Sequence, residues 1–185
     1  MNVTIIRSKR RTISIQVNED ASVTVRAPRR MSNREIEKFL KEKDGWIQKH
    51  VEKVRAQIEK NKSENIEPLT DEDIRELADK ALEIIPRKVA YYAEIIGVSY
   101  GRITIRNQKT RWGSCSAKGN LNFNCLLMLT PNEVIDYVVV HELCHRKEMN
   151  HSKAFWSEVE KVIPNYRKLR KWLSDEGHSI FLRRS

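Results

Sequence analysis

Apolar and polar residues alternate at the start of the chain. Ile13, Ile15 and Val17 project one way, Asn18 to Ala21 interrupts the run, and Val23 and Val25 resume it. A period of two on both sides of a turn-forming stretch predicts a β-hairpin, preceded by a strand around Val3 to Ile6. From Asn33 the period changes: Ile36, Phe39, Leu40, Ile47, Val51, Val54 and Ile58 recur at helical spacing, which predicts a long amphipathic helix interrupted near Gly45. Asn61 to Thr70 is polar, contains Pro68 and has no period, so it reads as a linker.

Thr70 or Asp71 can cap the next helix, which carries Ile74, Leu77, Ala78, Ala81, Leu82 and Ile85. Pro86 should kink or restart it, and Gly97 should end it. A strand is expected around Arg102 to Arg106, turns through 107–120, and a second strand from Leu121 to Leu127. Thr130-Pro131-Asn132-Glu133 then carries the signals of a helix start: threonine as N-cap, proline at the first helical position, glutamate three residues past the cap. The helix that follows is apolar nearly all round, from Val134 to Cys144, and should lie inside the protein. Two short helices complete the pattern, one with Phe155, Trp156, Val159 and Val162 ended by Pro164, the other with Tyr166, Leu169, Trp172 and Leu173 ended by Gly177. The expected class is α+β. Residues 1–66 form a β-hairpin with an amphipathic helix, and residues 67–185 form a core of a short mixed or antiparallel sheet around the buried helix.

Composition narrows the function classes. Apolar residues make up 39% and charged residues 32% of the 185, against roughly 45–50% and 25% in average soluble proteins, so a modest core underlies a heavily charged surface. No apolar run approaches the ~18 residues of a membrane span, and no signal-peptide apolar region is seen, which disfavours membrane spanning and classical secretion. Three cysteines, Cys115, Cys125 and Cys144, are too few and of the wrong parity for a disulfide framework. Reduced thiols in the cytoplasm are the expectation. The net charge is +10, and residues 1–60 hold 15 basic against 8 acidic side chains. That excess fits either a solvated basic face or attraction to nucleic acid or acidic partners.

The chain has five histidines, and three of them, His141, His145 and His151, fall within eleven residues. His141 and His145 are four apart on the buried helix, so their rings lie one turn apart on one face. Two neutral imidazoles suit the tetrahedral preference of Zn²⁺, and Glu142 between them has the spacing to reach a zinc-activated water. If the helix ran on, His151 would lie ~15 Å further along its axis than His141, so the helix must end between them, with Asn150 a candidate to end it in the left-handed conformation. The interval from His145 to His151 equals that of metzincins, although Glu148 stands where that class has its helix-ending glycine. A carboxylate on the following helix, Glu158 or Glu160, is the alternative third ligand. Burying two imidazoles and a carboxylate without partners would cost several kcal/mol, and a metal supplies the partner. Such a site hydrolyses peptide bonds with Glu142 as general base. Arg111, Tyr91, Tyr92 and Tyr137 are candidates to stabilise the oxyanion. Cys144 lies inside the motif but should face the core.

The run Arg111-Trp112-Gly113-Ser114-Cys115-Ser116, then Asn122-Phe123-Asn124, the histidine helix, Asn150-His151-Ser152 and Phe155-Trp156 resembles the YgjP-like metallopeptidases, a WLM- and SprT-related zincin family. The N-terminal hairpin and the helix around Trp46-Ile47 are similar to that family's leading segment, so the resemblance covers nearly the whole chain. It implies a small zincin with Zn²⁺ on His141, His145 and His151, Glu142 as general base, and a sheet edge that pairs with an extended peptide or protein substrate. Arg111, Trp112 and Asn124 are the candidate substrate-binding residues. Because SprT- and WLM-type proteases act on proteins attached to DNA, the resemblance also allows an alternative: a nucleic-acid-associated protein, either a protease recruited to DNA or RNA or a binding module with a structural metal.

Overall fold

In the N-terminal hairpin, Val23, Val25 and Ala27 are fully buried while Arg26 between them is exposed, the alternation expected of a strand with one face on a core. The computed structural model describes residues 3–63 and 66–183, and the chain divides between Glu67 and Pro68 into two compact units. In the first, β2 (Ser14–Val17) and β3 (Val23–Pro28) pair antiparallel, and β1 (Val3–Ser8) lies parallel to β3 on its other side, with Ile5 beside Val25. Helices α1 (Asn33–Glu42) and α2 (Asp44–Ser63) supply Ile36, Ile47, Val51 and Val54 to the core. The helix breaks at Lys43, not at Gly45. The Lys43 N–H closes the turn onto the Phe39 and Leu40 carbonyls, both at 3.1 Å, and Gly45 lies inside α2 with open space around it. The expected linker is shorter than 61–70, because α2 runs to Ser63 and Leu69 is buried; residues 64 and 65 lie outside the described residues.

The second unit begins with α3 (Asp71–Ile96), capped by Thr70 and Asp73 and ended at Gly97 in the left-handed region (φ 73°). Pro86 neither breaks nor restarts it. The carbonyl that Pro86 cannot serve belongs to Leu82, a residue on the exposed face of the helix. A mixed three-stranded sheet follows in the order β4 (Ile103–Arg106), β6 (Leu121–Asn124), β5 (Gly113–Cys115), with β4 parallel and β5 antiparallel to β6. The strand expected to reach Leu127 stops at Asn124, whose side-chain oxygen accepts from Leu126 N–H at 3.1 Å and starts a 3₁₀ turn over Cys125–Leu129.

Helix α4 (Asn132–Cys144) starts one residue later than its capping signal predicts. Pro131 is the cap residue, and the Thr130 hydroxyl donates instead to the Leu127 carbonyl at 2.8 Å. Helices α5 (Lys153–Val162) and α6 (Tyr166–Asp175) match the pattern, and a short α7 (Gly177–Phe181) opens at the glycine expected only to end α6. Leu121 and Phe123 of the sheet and Val139, Val140 and Leu143 of α4 share one core with Ile85 and Val89 of α3. No helix of the described residues is long and apolar enough to cross a membrane.

Candidate active site

Burial holds α4 in place, and its last turn points one polar edge outward. His141 and His145 sit on that edge with ring centroids 5.0 Å apart, and Glu142 between them is only 6% exposed. His145 ends the helix, and the Arg146 N–H turns back onto the Leu143 carbonyl at 2.9 Å. The helix therefore closes well before Asn150. No left-handed asparagine is needed: among described residues only Ala21 (φ 61°) and two glycines have positive φ. Asn150 acts through its side chain, which accepts from Ser152 N–H at 3.2 Å, while Ser152 caps α5 by accepting from Phe155 N–H at 3.3 Å. Those two turns swing His151 back onto α4.

The three rings converge. Candidate ligand atoms of His141, His145 and His151 all lie within 4.8 Å of one another, and the Nε2 atoms of His141 and His151 stand 3.0 Å apart. A tetrahedral ion with bonds of 2.0–2.1 Å separates its ligands by ~3.4 Å, so the spacing suits a shared cation. The His145 Nδ1 lies 3.0 Å from the Glu148 carbonyl, which can only accept. That fixes the proton on Nδ1 and leaves the Nε2 lone pair for a metal. Glu148, which replaces the metzincin glycine, thus orients a ligand through its backbone. Burial pushes His141 down to about 3, with His145 and His151 adding to the shift, and lowers His151 in the same direction. Both rings are neutral near pH 7, the state a metal requires.

Phe155 lies beneath all three rings, fully buried, at centroid distances of 4.9, 4.5 and 4.9 Å from His141, His145 and His151. Trp156 stacks on the exposed His151 at 5.6 Å and is itself stacked on Tyr166 at 5.2 Å, with the Arg170 guanidinium 4.7 Å from its ring centre. Sequence reasoning placed Phe155 and Trp156 on an amphipathic helix but not beneath the histidines. Their position directly after the Ser152 cap was the available signal.

The alternative ligands are engaged elsewhere. Glu158 pairs with Lys147 at 2.8 Å and with Lys161, and Glu160 pairs with Arg167 at 2.6 Å. Cys144 faces the core with no exposure, and burial raises its thiol to about 12.

Glu142 owes its position to a glycine. A Cβ at Gly113 would come within 2.8 Å of the Glu142 Cγ and Oε1. Strand β5, the sheet edge that carries Gly113, therefore passes close over the carboxylate. Burial raises Glu142 to about 8, and the positive charge of Arg111 partly opposes the shift. Arg111, Gly113, Ser114, Cys115 and Met149 line an open cleft of about 230 Å³ with the three histidines and Glu142.

Two of the expected substrate-binding residues are placed differently. Asn124 is fully buried; its Nδ2 donates to the Gln108 and Arg111 carbonyls at 2.8 and 2.9 Å, so it holds the loop that presents Arg111 and does not face the cleft. Trp112 packs against Phe181, at 4.5 Å between ring centres, and over Gly177. It is a prop for α7. Of the oxyanion candidates, Tyr137 is buried with its hydroxyl raised to about 12, and Tyr91 is 61% exposed beside Tyr92 on α3. Arg111 alone among them lines the cleft.

This combination of an imidazole triad and a buried carboxylate beneath an edge strand is the equipment of a metal-dependent hydrolase. The chain belongs to the YgjP-like family: the model of its metallopeptidase domain matches residues 11–75 and 70–176. Among solved structures, the metallopeptidase zymogen abylysin of Pyrococcus abyssi is 25% identical, with 51% of this chain and 96% of that one covered at a TM-score of 0.46. The metallopeptidase zymogen jannalysin of Methanocaldococcus jannaschii is 20% identical, with 50% and 95% covered at 0.45. No curated protein is significantly similar to the chain.

Proposed function

We propose that the protein is a zinc-dependent peptidase that cleaves extended peptide segments in the cleft between β5 and α4, with His141, His145 and His151 holding the ion and Glu142 as general base. The convergence of three imidazoles beside a buried carboxylate carries the reading. Zinc bound there supplies Lewis acidity, bringing water to a pKa of about 7 and polarising a carbonyl.

The remaining work falls to the chain. The Glu148 carbonyl holds His145 in the tautomer that presents Nε2. Glu142 takes a proton from water on its carboxylate and returns it to the leaving amine, a transfer that needs a base whose pKa lies near the working pH. Bare Gly113 leaves the carboxylate room for that exchange. Strand β5 has one edge free of sheet partners among the described residues, so a substrate strand can pair along Gly113 to Cys115. Arg111 on the same wall supplies positive charge for the developing oxyanion. Three cysteines with no disulfide among them are in keeping with a reducing, cytoplasmic setting.

The test is metal analysis with peptide hydrolysis. The purified protein should carry close to one zinc. Glu142→Gln should keep it and lose hydrolysis, and His151→Ala should surrender it to a chelator. Full hydrolysis by Glu142→Gln would remove that residue from the chemistry, and unchanged zinc retention in His151→Ala would remove the third ligand.

A further inference from the structure

We propose that the first unit carries a binding surface for the phosphate backbone of nucleic acid at the end of its sheet where β1 and β3 finish. Strands β1 and β3 are parallel, with Ser8 beside Pro28, and β2 begins at Ser14 opposite Arg26, so all three place the same end together. The Arg29 N–H donates to the Ser8 carbonyl at 3.1 Å and ties the two exits. The register thus gathers Arg7 and the run Lys9-Arg10-Arg11 leaving β1 with Arg26, Arg29 and Arg30 around the end of β3. Arg34 joins them, because the Arg7 guanidinium donates to Asn33 Oδ1 at 2.7 Å and so brings the first turn of α1 to this end. The acids of the hairpin turn, Glu19 and Asp20, lie at the opposite end.

None of these eight cations forms an ion pair among the described residues. In the second unit Arg75, Lys80, Arg87, Lys88, Lys147 and Arg167 are all paired with carboxylates. The nearby acid Glu35 is engaged in the α1 cap, accepting from Ser32 N–H at 2.7 Å. Three arginines are nevertheless held, and only by neutral acceptors: Arg7 by Asn33, Arg10 by Ser14 Oγ at 3.0 Å, Arg26 by Gln16 Oε1 at 2.7 Å. Positioning without neutralisation keeps the charge and removes part of the ordering cost of binding an anion.

The occupant follows from number, spread and type. Three strands at ~4.8 Å spacing spread the cations over ~10 Å before the loops are counted, more than one phosphate group fills. Seven of the eight are arginines, whose forked donors match phosphate oxygens. The exposed apolar residues nearest the cations, Ile5 and Ile6, precede Arg7 on β1, and Lys9-Arg10-Arg11 and Arg29-Arg30 have none between them, so an acidic lipid surface would be held mainly by charge and is compared directly in the test.

The test is fluorescence anisotropy of a labelled mixed-sequence DNA duplex with the full chain across salt concentration. Five phosphate contacts predict a ~500-fold loss of affinity between about 50 and 200 mM salt. Arg29→Gln/Arg30→Gln, both exposed positions, should lower the magnitude of the log–log slope by about two while peptide hydrolysis and thermal unfolding stay unchanged. Lys118→Gln/Lys168→Gln on the second unit should leave the slope alone. Three results would each overturn the proposal: no binding at low salt, a slope equally changed by both double variants, or tighter binding to phosphatidylserine vesicles or polyglutamate than to the duplex.

Discussion

Replacing Gly113 by alanine tests the link between the edge strand and the general base. The added Cβ would lie 2.8 Å from Glu142 Cγ and Oε1 and 3.0 Å from Cδ, so one partner must move. The strand is poorly placed to yield. Gly113 pairs with the fully buried Phe123, the Asn124 N–H donates to the Trp112 carbonyl at 2.9 Å, and the Asn124 side chain holds the Arg111 carbonyl. Glu142 is the softer partner, with rotatable bonds and open cleft ahead of it. Overpacking costs about 1–3 kcal/mol, offset by the ~0.5–1 kcal/mol gained when alanine replaces glycine in a regular element. Stability should therefore fall by no more than about 2.5 kcal/mol. Activity should fall further, because a shift of about 1 Å in a catalytic group costs on the order of 10²-fold.

The assay is a double-mutant cycle in kcat/KM for peptide hydrolysis, with zinc content measured for each variant. Gly113→Ala should keep the metal, since no histidine lies among the close contacts of the new Cβ. On a Glu142→Gln background the same substitution should cost no further activity, because the base it displaces is already gone. In Gly113→Ala/Glu142→Ala the stability cost should vanish. Equal fold-losses on the two backgrounds, or full activity in Gly113→Ala, would refute the coupling.

Glu142 also sets a pH dependence in the metal-free protein. Its folded pKa of about 8 lies above the ordinary 4.5, so the native state holds the extra proton, and its share of stability is lost as pH rises from 4.5 through 8. At about 1.4 kcal/mol per unit, Glu142→Gln should remove a fall on the order of 5 kcal/mol, seen as a urea midpoint that diverges above that of the wild type as pH rises. A midpoint difference constant with pH would contradict the burial account. Trp156→Leu should loosen zinc about 10–100-fold in chelator competition by freeing the exposed His151 ring, whereas Trp156→Phe, which keeps a stacking face, should loosen it less. Asn124→Leu would strand the Gln108 and Arg111 carbonyls and the Leu126 N–H, and should cost about 3 kcal/mol in urea unfolding.

How much of this was legible in the sequence depends on whether local pattern or tertiary contact decided each element. The hairpin, the amphipathic helices and the histidine pair follow from periods of 2 and 3.6, which the core only reinforces. Elements decided by a single side-chain contact were misplaced. Thr130 bears every mark of an N-cap, but the Leu127 carbonyl offers its hydroxyl a competing acceptor. Leu121 to Leu127 reads as one strand because nothing in its apolar pattern shows that the Asn124 side chain captures Leu126 N–H. Strand β5 escaped notice because Gly113, Ser114 and Cys115 carry no alternation; pairing with β6 makes it a strand. Trp112 and Asn124 were legible as special residues but not in their role, since supporting a cleft and lining it leave the same trace in composition.

The site itself shows why its chemistry was more legible than its supports. A buried acid raised to about 8, and a His141 Nδ1 buried without a hydrogen-bond partner, are liabilities that an apolar helix of this size has no structural reason to carry. Such departures stand out in a sequence because they break the helix's own pattern. The features that make them usable conform to ordinary packing: a glycine over a carboxylate, a phenylalanine beneath three rings, a tryptophan against the exposed one. Each is a residue that any core would accept, so only the geometry distinguishes it. The cleft is therefore best probed through these supports: if Gly113 and Trp156 act only as packing, their substitution should move stability and spare both metal affinity and hydrolysis.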